Sequence, residues 1–400
     1  MNNFYASVEC VLDPSIKNMP VAVCGSERER HGIVMAKNYK ASDKGVKTGD
    51  TIWQARKKCK DIVIIDKPHF DKYNYYSTKA RLIYQRYTDF IEPMGLDECW
   101  LDVTNSLTLF GTPQKIADEL RKVMKDELGL TISVGVSFNK TFAKLGSDMK
   151  KPDATTVITK SNFKKVVWPL PVSDLLGVGR KTAKVLEKYF IKTIGDLANE
   201  KLERLEHLFG KNGIYLYNAA NGIEDDEISR FDELEGVKTI SHGITTVKDL
   251  NNNEEVWRTM LMLTQDIAYK LREKSLRAGG ISVSIRDKNL MWQQFQRKMR
   301  TTEQSAINIA TNAFKLFKEK YDWCNPVRNV TISVMYLTED DEPIEMTVFD
   351  DFQKKEKVEK IEKLMEDINK KYGSEIVTTA TLLEDNYIPE NRKKVKYGEK

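Results

Sequence analysis

Two adjacent carboxylates set between apolar runs constrain this chain more than any other feature of its sequence. Asp97 and Glu98 lie in the stretch Gly95-Leu96-Asp97-Glu98-Cys99-Trp100-Leu101-Asp102. The apolar residues around the pair predict buried β-strands on both sides of it: Ile91, Met94, Leu96, Trp100, Leu101 and Val103. Paired carboxylates at a rigid site suit Mg²⁺, which takes one or two carboxylates plus substrate phosphates. From these residues alone, a turn that simply favours Asp is an equal alternative. We call residues 91–101 the acidic hairpin.

The length of the chain places this hairpin in a multidomain globular protein. Four hundred residues, 40% of them hydrophobic, predict about two to four domains. No apolar run approaches the roughly 20 residues of a membrane span and no signal-peptide pattern opens the chain, so we expect a cytoplasmic protein without membrane contact. The scattered cysteines and histidines predict reduced thiols and no zinc site: Cys10, Cys24, Cys59, Cys99, Cys324, His31, His69, His207 and His242.

Positive charge is concentrated in two parts of the chain. Lys and Arg outnumber Asp and Glu by 12 to 7 over residues 11–69 and by 12 to 6 over residues 238–300, whereas residues 339–351 carry seven carboxylates and no Lys or Arg. Segmental basicity of this size is compatible with a polyanionic partner. A solvated surface without such a partner is an equal alternative for the same counts.

The first 160 residues predict alternating helices and strands. We expect a helix soon after Met1, strands over 20–25 and 32–36, and helices over 39–44, 51–60 and 73–90. After the acidic hairpin, Thr112 caps a helix, and residues 131–136 form the next strand. Residues 70–160 are therefore predicted to alternate around one sheet that carries Asp97 and Glu98.

A Gly-x-Gly turn, Gly177-Val178-Gly179, stands immediately before Arg180, Lys181 and a predicted helix. Such a turn lets backbone N–H groups at a helix N-terminus approach a phosphate, and the two cations add charge beside it. The pattern resembles a helix-hairpin-helix module, which binds a nucleic-acid backbone without reading its sequence. A plain turn between two helices is the alternative.

Beyond an acidic linker over residues 224–236, the chain predicts a split βαβ domain with four strands and two helices, in the order βαββαβ. In its third strand, alternation places Phe295 and Met299 on one side and polar residues on the other. The polar side is a candidate surface along a DNA duplex, with a solvated sheet face as the equal alternative: Gln294, Gln296, Lys298 and Arg300.

The end of the chain contains an apolar-aromatic peptide inside its acidic stretch, Glu345-Met346-Thr347-Val348-Phe349. An exposed short apolar peptide flanked by charge suits partner binding, and a strand packed on its own domain is the equal alternative. A predicted helix follows, with one apolar stripe and a basic terminus after it: Val358, Ile361, Leu364 and Ile368.

Together these stretches resemble the Y-family translesion DNA polymerases of the bacterial polymerase IV and UmuC type. The resemblance covers nearly the whole chain and rests on NNFYASVE at residues 2–9, NYKASDKGVKTGD at 38–50, GLDECWLDVT at 95–104, SVGVSFNKTFAKLGSDMKKPD at 133–153 and GVGRKTA at 177–183. It implies an α+β multidomain fold of the right-hand polymerase type. The implied parts are a palm (1–9 and 70–160), small fingers (10–69), a helical thumb with the helix-hairpin-helix (161–232), a βαββαβ little finger (236–340) and a C-terminal tail (341–400).

The resemblance also implies roles for individual residues. Asp97 and Glu98 become metal-binding and catalytic carboxylates of a nucleotidyl transfer that uses two Mg²⁺ ions. The implied nucleotide contacts are Phe4, Tyr5, Tyr39 and Lys151, and the Tyr5 ring lies against the sugar as a steric gate that excludes a 2′-hydroxyl. Small fingers that enclose the nascent pair loosely imply low-fidelity synthesis past damaged templates, in DNA repair and damage tolerance.

The implied partners are primed template DNA and deoxynucleoside triphosphates, together with a sliding clamp. The clamp would bind the apolar-aromatic peptide through Glu345, Met346, Val348 and Phe349. The family's clamp-binding peptide usually begins with Gln, so Glu345 departs from that pattern. We expect the protein to be a monomer.

Two further departures concern the active site. The family has an arginine three residues after the tyrosine of NYKA, where this chain has Ser42, so the triphosphate contact weakens or passes to Lys37, Lys40 or Lys44. The family also places a metal-binding aspartate, at the end of a first palm strand, immediately before the residue that is Met1 here. The sequence contains neither, which keeps an alternative open: a catalytically impaired homologue that binds DNA or is tethered to a clamp.

Overall fold

The computed structural model describes residues 1–26, 32–224, 227–231, 236–341, 352–373 and 376–382. These residues form two compact units. The first comprises Met1–Gly25 and Ile33–Leu234, and the second contains the described residues from Gly236 onward. No helix in these ranges is long and apolar enough to cross a membrane.

The first unit opens with a helix and a small three-stranded sheet. Its elements are α1 (Phe4–Leu12), β1 (Val21–Cys24), β2 (Val34–Lys37), α2 (Tyr39–Asp43), α3 (Ile52–Lys58) and β3 (Val63–Ile65). The central strand β1 is buried along its whole length and pairs antiparallel with β2 and parallel with β3. Asn38 caps α2, and Thr51 with Gln54 forms a capping box at α3, so local hydrogen bonds fix where both helices begin.

The acidic hairpin lies among four helices and four strands of three residues each. These elements are α4 (Phe70–Tyr84), β4 (Ile91–Pro93), β5 (Cys99–Leu101), α5 (Leu107–Phe110), α6 (Pro113–Leu128), β6 (Val134–Val136), α7 (Lys140–Met149) and β7 (Thr155–Val157). The hairpin β4–β5 is antiparallel, and β6 pairs in parallel with β7. The prediction of one sheet over residues 70–160 is therefore wrong, because within the described chain β5 and β6 belong to separate two-stranded sheets.

Two local expectations also need correction. The helix predicted over 73–90 begins earlier and ends at Tyr84. Its last predicted turn is replaced because the Thr88 hydroxyl accepts from the Phe90 N–H and donates to the Asp102 carbonyl at the base of the hairpin. The hairpin strands were expected to be buried, but β5 is half-buried because it lines a cavity.

Helix α6 begins and packs as the sequence pattern predicts. Thr112 accepts a hydrogen bond from the Lys115 N–H, as the predicted N-cap. Ile116, Leu120 and Met124 follow helical spacing and are buried against α4. This prediction is confirmed, and it explains the packed core behind the acidic hairpin.

Two glycines bring α7 directly against β6. A Cβ atom at Gly135 would lie 1.9 Å from the Ala143 carbonyl oxygen, and one at Gly146 would lie 3.1 Å from the Gly135 Cα. Glycine at both positions lets the two backbones touch. This contact sets the distance between β6 and the helix that carries Lys144.

The rest of the first unit is helical. Its helices are α8 (Phe163–Val167), α9 (Arg180–Lys188), α10 (Ile194–Ala198), α11 (Leu202–Phe209) and α12 (Lys211–Ala220). A buried apolar cluster that includes Leu186, Ile194 and Leu216 holds them together. Phe190, just after α9, has φ 62° and is 83% exposed. Since this backbone region favours glycine, an aromatic residue there is strained.

The second unit is built on long strands. Its elements are β8 (Thr239–Leu250), α13 (Asn253–Glu273), β9 (Leu276–Asp287), β10 (Trp292–Glu303), α14 (Ala306–Lys320), β11 (Val327–Glu339) and α15 (Phe352–Tyr372). The four strands form one antiparallel sheet in the order β10-β9-β11-β8, whose apolar side packs with α13 and α14 in one core. The predicted βαββαβ order is confirmed.

Helix α15 packs on this unit through charge. Two arginines of α13 and β9 reach its carboxylates, namely Arg272 with Glu362 and Glu366, and Arg277 with Glu359. Glu362 also accepts hydrogen bonds from the first N–H groups of α14, where an anion is favoured. The predicted helix is present, but Ile361 and Leu364 of its apolar stripe are exposed, because the ion pairs select the opposite face.

Candidate active site

A cavity of about 570 Å³ lies beside the acidic hairpin. The hairpin, Met1, β6 and α7 line it. Asp97, Glu98, Lys144 and Lys151 are all on its wall. The structure thus brings the two predicted metal ligands together with the lysine predicted to bind a triphosphate.

The Asp97 carboxyl lies in a crowded, partly buried place. Burial raises its pKa, the Met1 ammonium opposes that rise, and the neighbouring Glu98 adds to it. The Met1 amino group donates to the Asp97 carbonyl oxygen at 2.5 Å, which ties the start of α1 to the tip of the hairpin. Two carboxylates that repel each other in a half-buried site are stabilised by a cation between them.

Glu98 begins a chain of alternating charges that continues through α7 and ends just after that helix. Lys144 Nζ donates to Glu98 Oε1 at 2.7 Å and to Asp148 Oδ2 at 2.9 Å. Lys151 Nζ lies 2.7 Å from Asp148 Oδ1. Burial alone would lower the pKa of Lys144, but its hydrogen bonds with Glu98 and Asp148 outweigh burial and raise it. The ammonium group is therefore a fixed positive charge next to Glu98.

The donor set suits a hard cation. Carboxylate oxygens are the ligands that Mg²⁺ prefers, and it commonly keeps waters and substrate phosphates in its remaining positions. Within the described ranges, no group of three or more His, Cys, Asp or Glu side chains is placed to hold a metal ion. Asp97 and Glu98 thus fit a cation whose remaining positions are taken by water or by phosphate oxygens.

Tyr5 packs in the same core cluster as Leu96, the residue before Asp97, and its ring is supported from within that cluster. Its ring stacks on Tyr73 with centroids 4.4 Å apart and an interplanar angle of 21°. The Tyr73 hydroxyl donates to the buried Glu9 carboxylate, and His69 Nδ1 lies 3.0 Å from the same group. Burial raises the pKa of the Tyr5 hydroxyl, and the Asp97 charge adds to the rise. Phe4 is 4% exposed and packs beside Tyr5, so it supports that ring from within the core.

Tyr39 is linked to the same region through Asn2. Tyr39 is the first residue of α2 and is half-buried. Burial raises the pKa of its hydroxyl, and a hydrogen bond with Asn2 partly offsets this rise. Asn2 also donates to Ser133 next to β6 and accepts from the Asp153 N–H. One asparagine therefore connects the predicted triphosphate tyrosine with Ser133 on the cavity wall and with Asp153.

Two of the three lysines near Ser42 have polar partners outside the candidate site. Lys40 Nζ donates to the Asn18 carbonyl at 2.7 Å. Lys44 Nζ pairs with Asp61 at 2.6 Å. Two of the three lysines expected to replace the family's arginine are therefore held elsewhere, and Lys37 of β2 is the third.

The Gly-x-Gly turn has the geometry expected of a helix-hairpin-helix. Gly177 has φ 91°, and a side chain there would approach the Tyr215 ring at 3.0 Å. Gly179 is the N-cap of α9, and a Cβ at that position would meet no atom within 4 Å. Arg180 and Lys181 are exposed on the first turn of the helix. The turn therefore presents open backbone and two cations at a helix N-terminus.

The predicted DNA-facing residues of β10 share one exposed side of the strand: Gln294, Gln296, Lys298 and Arg300. Met299 is buried and Phe295 is half-buried on the other side. Gln294 also donates to Ser282 of β9 at 3.0 Å. The peptide with Glu345, Met346, Val348 and Phe349 lies outside the described residues.

Sequence reasoning missed Lys144, Asp148 and Tyr73, and it missed the contact of Glu9 with Tyr73. Lys144 and Asp148 lie four residues apart, the spacing that places side chains together on a helix, and Lys151 follows just after α7 ends at Met149. That signal was present in the sequence. The contacts of Glu9 with Tyr73 and His69 join residues about 60 positions apart, so no local pattern reveals them.

Three family models match the chain. The model described as the impB/mucB/samB family matches residues 1–148, and the model of that family's C-terminal domain matches residues 237–347. A model described as the thumb domain of DNA polymerase-iota matches residues 173–224. The first match includes the acidic hairpin, and the third includes the Gly-x-Gly turn.

Characterised relatives are similar over almost their full length. DNA polymerase IV of Acetivibrio thermocellus is 43% identical over 385 residues, which cover 96% of this chain and 96% of that protein. DNA polymerase IV 1 of Bacillus subtilis is 34% identical over 390 residues, which cover 96% and 92%. Among solved structures, a Y-family DNA polymerase chimera superposes with a TM-score of 0.76 at 22% identity, over 84% of this chain and 97% of that one. The last likeness concerns the fold.

Proposed function

The chain belongs to the impB/mucB/samB family of Y-family DNA polymerases, and we propose that Asp97 and Glu98 hold the divalent cations of its nucleotidyl transfer. Its activity is DNA-directed DNA synthesis of the translesion class, and the predicted family, fold class and activity are confirmed. The observation that carries the metal-site proposal is the shared cavity of Asp97, Glu98, Lys144 and Lys151. This cavity brings a site for Mg²⁺ together with the Lys151 ammonium, whose positive charge suits a phosphate chain.

The residues divide the work of the reaction between them. Asp97 and Glu98 would hold two Mg²⁺ ions, which supply charge neutralisation at the triphosphate and activation of the primer 3′-hydroxyl. Lys151 binds phosphate oxygens as a point charge, and the Tyr39 hydroxyl donates a hydrogen bond to them. These fixed groups orient the α-phosphate toward the primer end. Part of the entropy lost in aligning the reactants is therefore lost when the nucleotide binds and not in the reaction step.

Tyr5 selects the sugar by its position. The Tyr73 ring beneath it and the Glu9 carboxylate behind Tyr73 keep the Tyr5 ring from retreating. A ribonucleotide would bring its 2′-hydroxyl against that ring, whereas a deoxyribonucleotide has no atom there. The stack therefore supports a steric gate at Tyr5.

Two further surfaces bind the nucleic acid without base recognition. Gly177, Gly179, Arg180 and Lys181 offer backbone N–H groups and positive charge to a phosphate. The exposed polar side of β10 supplies Gln, Lys and Arg side chains, whose contacts with a DNA backbone depend on salt. Neither surface reads sequence, as synthesis on arbitrary templates requires.

The metal-site proposal is tested by primer extension at varied Mg²⁺ concentration. We expect Glu98→Gln to need much more Mg²⁺ for half-maximal extension, because it removes one anionic ligand. Glu127→Gln is the matched control, since Glu127 pairs with Arg86 on an exposed surface. An unchanged Mg²⁺ requirement for Glu98→Gln would refute the assignment.

One observation favours a second candidate, a catalytically impaired homologue that binds DNA. Within the described ranges, no group of three or more possible metal ligands is placed to hold a metal ion, although Asp102 and Glu227 also line the cavity. Binding of primed DNA and extension by the same preparation separate the two. Tight binding with no extension at any Mg²⁺ concentration would favour the impaired homologue.

We also propose that residues 345–349 contact a sliding clamp, on the basis of their apolar-aromatic sequence between charged residues. Deletion of these five residues should leave extension of short primers unchanged and remove stimulation by a clamp, because such a peptide acts by tethering. Full stimulation after the deletion would refute this contact.

A further inference from the structure

The Lys144 ammonium occupies one of the two oxygens through which Glu98 could bind a divalent cation. Its side chain is 17% exposed, and it donates to Glu98 Oε1 at 2.7 Å. A positive charge on this carboxylate competes with any metal ion that binds there. Before Glu98 Oε1 can serve as a ligand, Lys144 has to move away from that oxygen.

A mostly buried ammonium cannot leave its partner without cost. An ion pair broken inside a protein leaves an uncompensated charge, which destabilises the protein far more than the loss of an exposed pair. Lys144 would therefore remain on Glu98 unless another anion stood within reach. In the described part of the chain, the second carboxylate paired with Lys144 is Asp148, one turn further along α7.

Asp148 is already a hydrogen-bond partner of Lys144. Its Oδ2 accepts from Lys144 Nζ at 2.9 Å, and its Oδ1 lies 2.7 Å from Lys151 Nζ. Because the two lysines use different oxygens, Asp148 can keep Lys144 without losing Lys151. The exchange needs a small movement of one flexible side chain, since one of its two partners stays the same.

We propose that Asp148 is a positioning residue that retains Lys144 when Glu98 turns to a divalent cation, and that it thereby sets the cation affinity of the site. This inference rests on the proposed role of Glu98 as a metal ligand. No covalent step is involved: one hydrogen bond to Glu98 is lost, and the metal ion takes the oxygen that Lys144 releases.

The test measures Mn²⁺ binding to the full chain without DNA or nucleotide, from the electron paramagnetic resonance signal of free Mn²⁺. We expect Asp148→Asn to weaken Mn²⁺ binding about fivefold to tenfold. Lys144→Met should tighten binding, because the competing cation is gone. In the Lys144→Met background, Asp148→Asn should change the dissociation constant by less than about twofold, since there is no ammonium left to retain.

The background dependence distinguishes this role from simple charge. Equal weakening by Asp148→Asn in both backgrounds would mean that Asp148 attracts the metal through its own charge, and would overturn the proposal. Unchanged binding in the parent background would overturn it as well. Circular dichroism and thermal unfolding of each variant identify loss of fold, and Glu127→Gln controls for loss of one carboxylate at a distance.

A separate variant tests the premise. Glu98→Gln should weaken Mn²⁺ binding in the parent background. If it does not, the metal-site assignment fails whatever Asp148 does. If it does, and Asp148→Asn has no effect, the assignment stands and the retention of Lys144 by Asp148 is wrong.

Discussion

The acidic-hairpin region and the sheet of the second unit are held together in different ways. Strands β4 to β7 have three residues each and form two separate pairs, whereas β8 to β11 have 12 or 13 residues and form one continuous sheet. The hairpin region depends on ion pairs, caps and helix packing for its geometry. The sheet depends on backbone hydrogen bonds that no single side chain controls. Catalysis is thus proposed for a region whose geometry depends on single side chains. Duplex binding is proposed for a sheet whose geometry does not.

The largest expected effect tests this division directly. Asp97→Ala should lower the extension rate by about 1,000-fold, or about 4 kcal/mol, while primed DNA is bound as before, because the role proposed for this carboxylate is to hold metal and not to contact the duplex. Arg300→Ala should do the reverse, with modestly weaker binding, a smaller salt dependence and an unchanged extension rate at saturating DNA. Single-turnover extension and DNA titration on the same preparations measure both. Equal losses of binding and extension in each variant would abolish the contrast.

A second prediction adds a strand to the hairpin region, whose sheets have two strands each. We expect a short apolar strand ending in Asp, fused before Met1, to lie between β5 and β6, which both line the cavity. It would add backbone hydrogen bonds and a third carboxylate, raising the melting temperature and raising extension about 100-fold if that ligand is worth about 2.7 kcal/mol. A fused strand ending in Asn is the matched control.

The outcome of that fusion also bears on two other acids. Glu9 accepts from Tyr73, and Asp102 Oδ1 accepts from the Thr104 N–H, so both carboxylates are already engaged. We therefore expect neither to replace the added Asp. Equal single-turnover rates with and without the fusion, at matched DNA occupancy, would show that one of them does.

A smaller effect is expected at the steric gate. Tyr5→Ala should reduce discrimination against ribonucleotides about tenfold or more, because the space opposite the 2′-position opens. Tyr75→Ala, at an exposed ring on α4, is the control. Comparison of kcat/KM for matched deoxyribo- and ribonucleotides measures the change. Discrimination that stays at the parent level would make Tyr5 a core aromatic and would leave the hairpin region without a sugar-sensing residue.

The smallest expected effect concerns stability. Phe190→Gly should raise the free energy of unfolding by about 1 kcal/mol, because glycine adopts φ 62° without strain. Phe190→Ala should give no such gain, since alanine keeps the strain. Urea unfolding of the three proteins measures the difference. Equal stability of the glycine and alanine variants would show that the exposed ring, and not its backbone, sets the cost.

The sequence predicted best what is local. The capped helix after Thr112 and the βαββαβ order depend on periodicity and caps within a few residues, and both are confirmed. The single sheet over residues 70–160 failed because strands of three residues carry no information about which partner they choose. The exposed stripe of Ile361 and Leu364 failed to pack for a related reason, since Arg272 and Arg277 lie about 90 residues away and decide the face of α15. Asp97 and Glu98 were predicted from the apolar residues next to them in sequence, and the structure places both on the wall of one cavity.

The backbone contact between Gly135 and Gly146 keeps the spacing of β6 and α7 independent of salt and of bound cations. Exposed ion pairs loosen as ionic strength rises, and the pair of Lys144 with Glu98 is proposed to shift when a cation arrives. Two touching backbones do neither, because their separation is fixed by atomic radii. The helix can therefore stay in register with β6 while the charges on it are rearranged. A single methyl group at position 135 would remove that independence, since it would push α7 away and move every charged group on the helix at once.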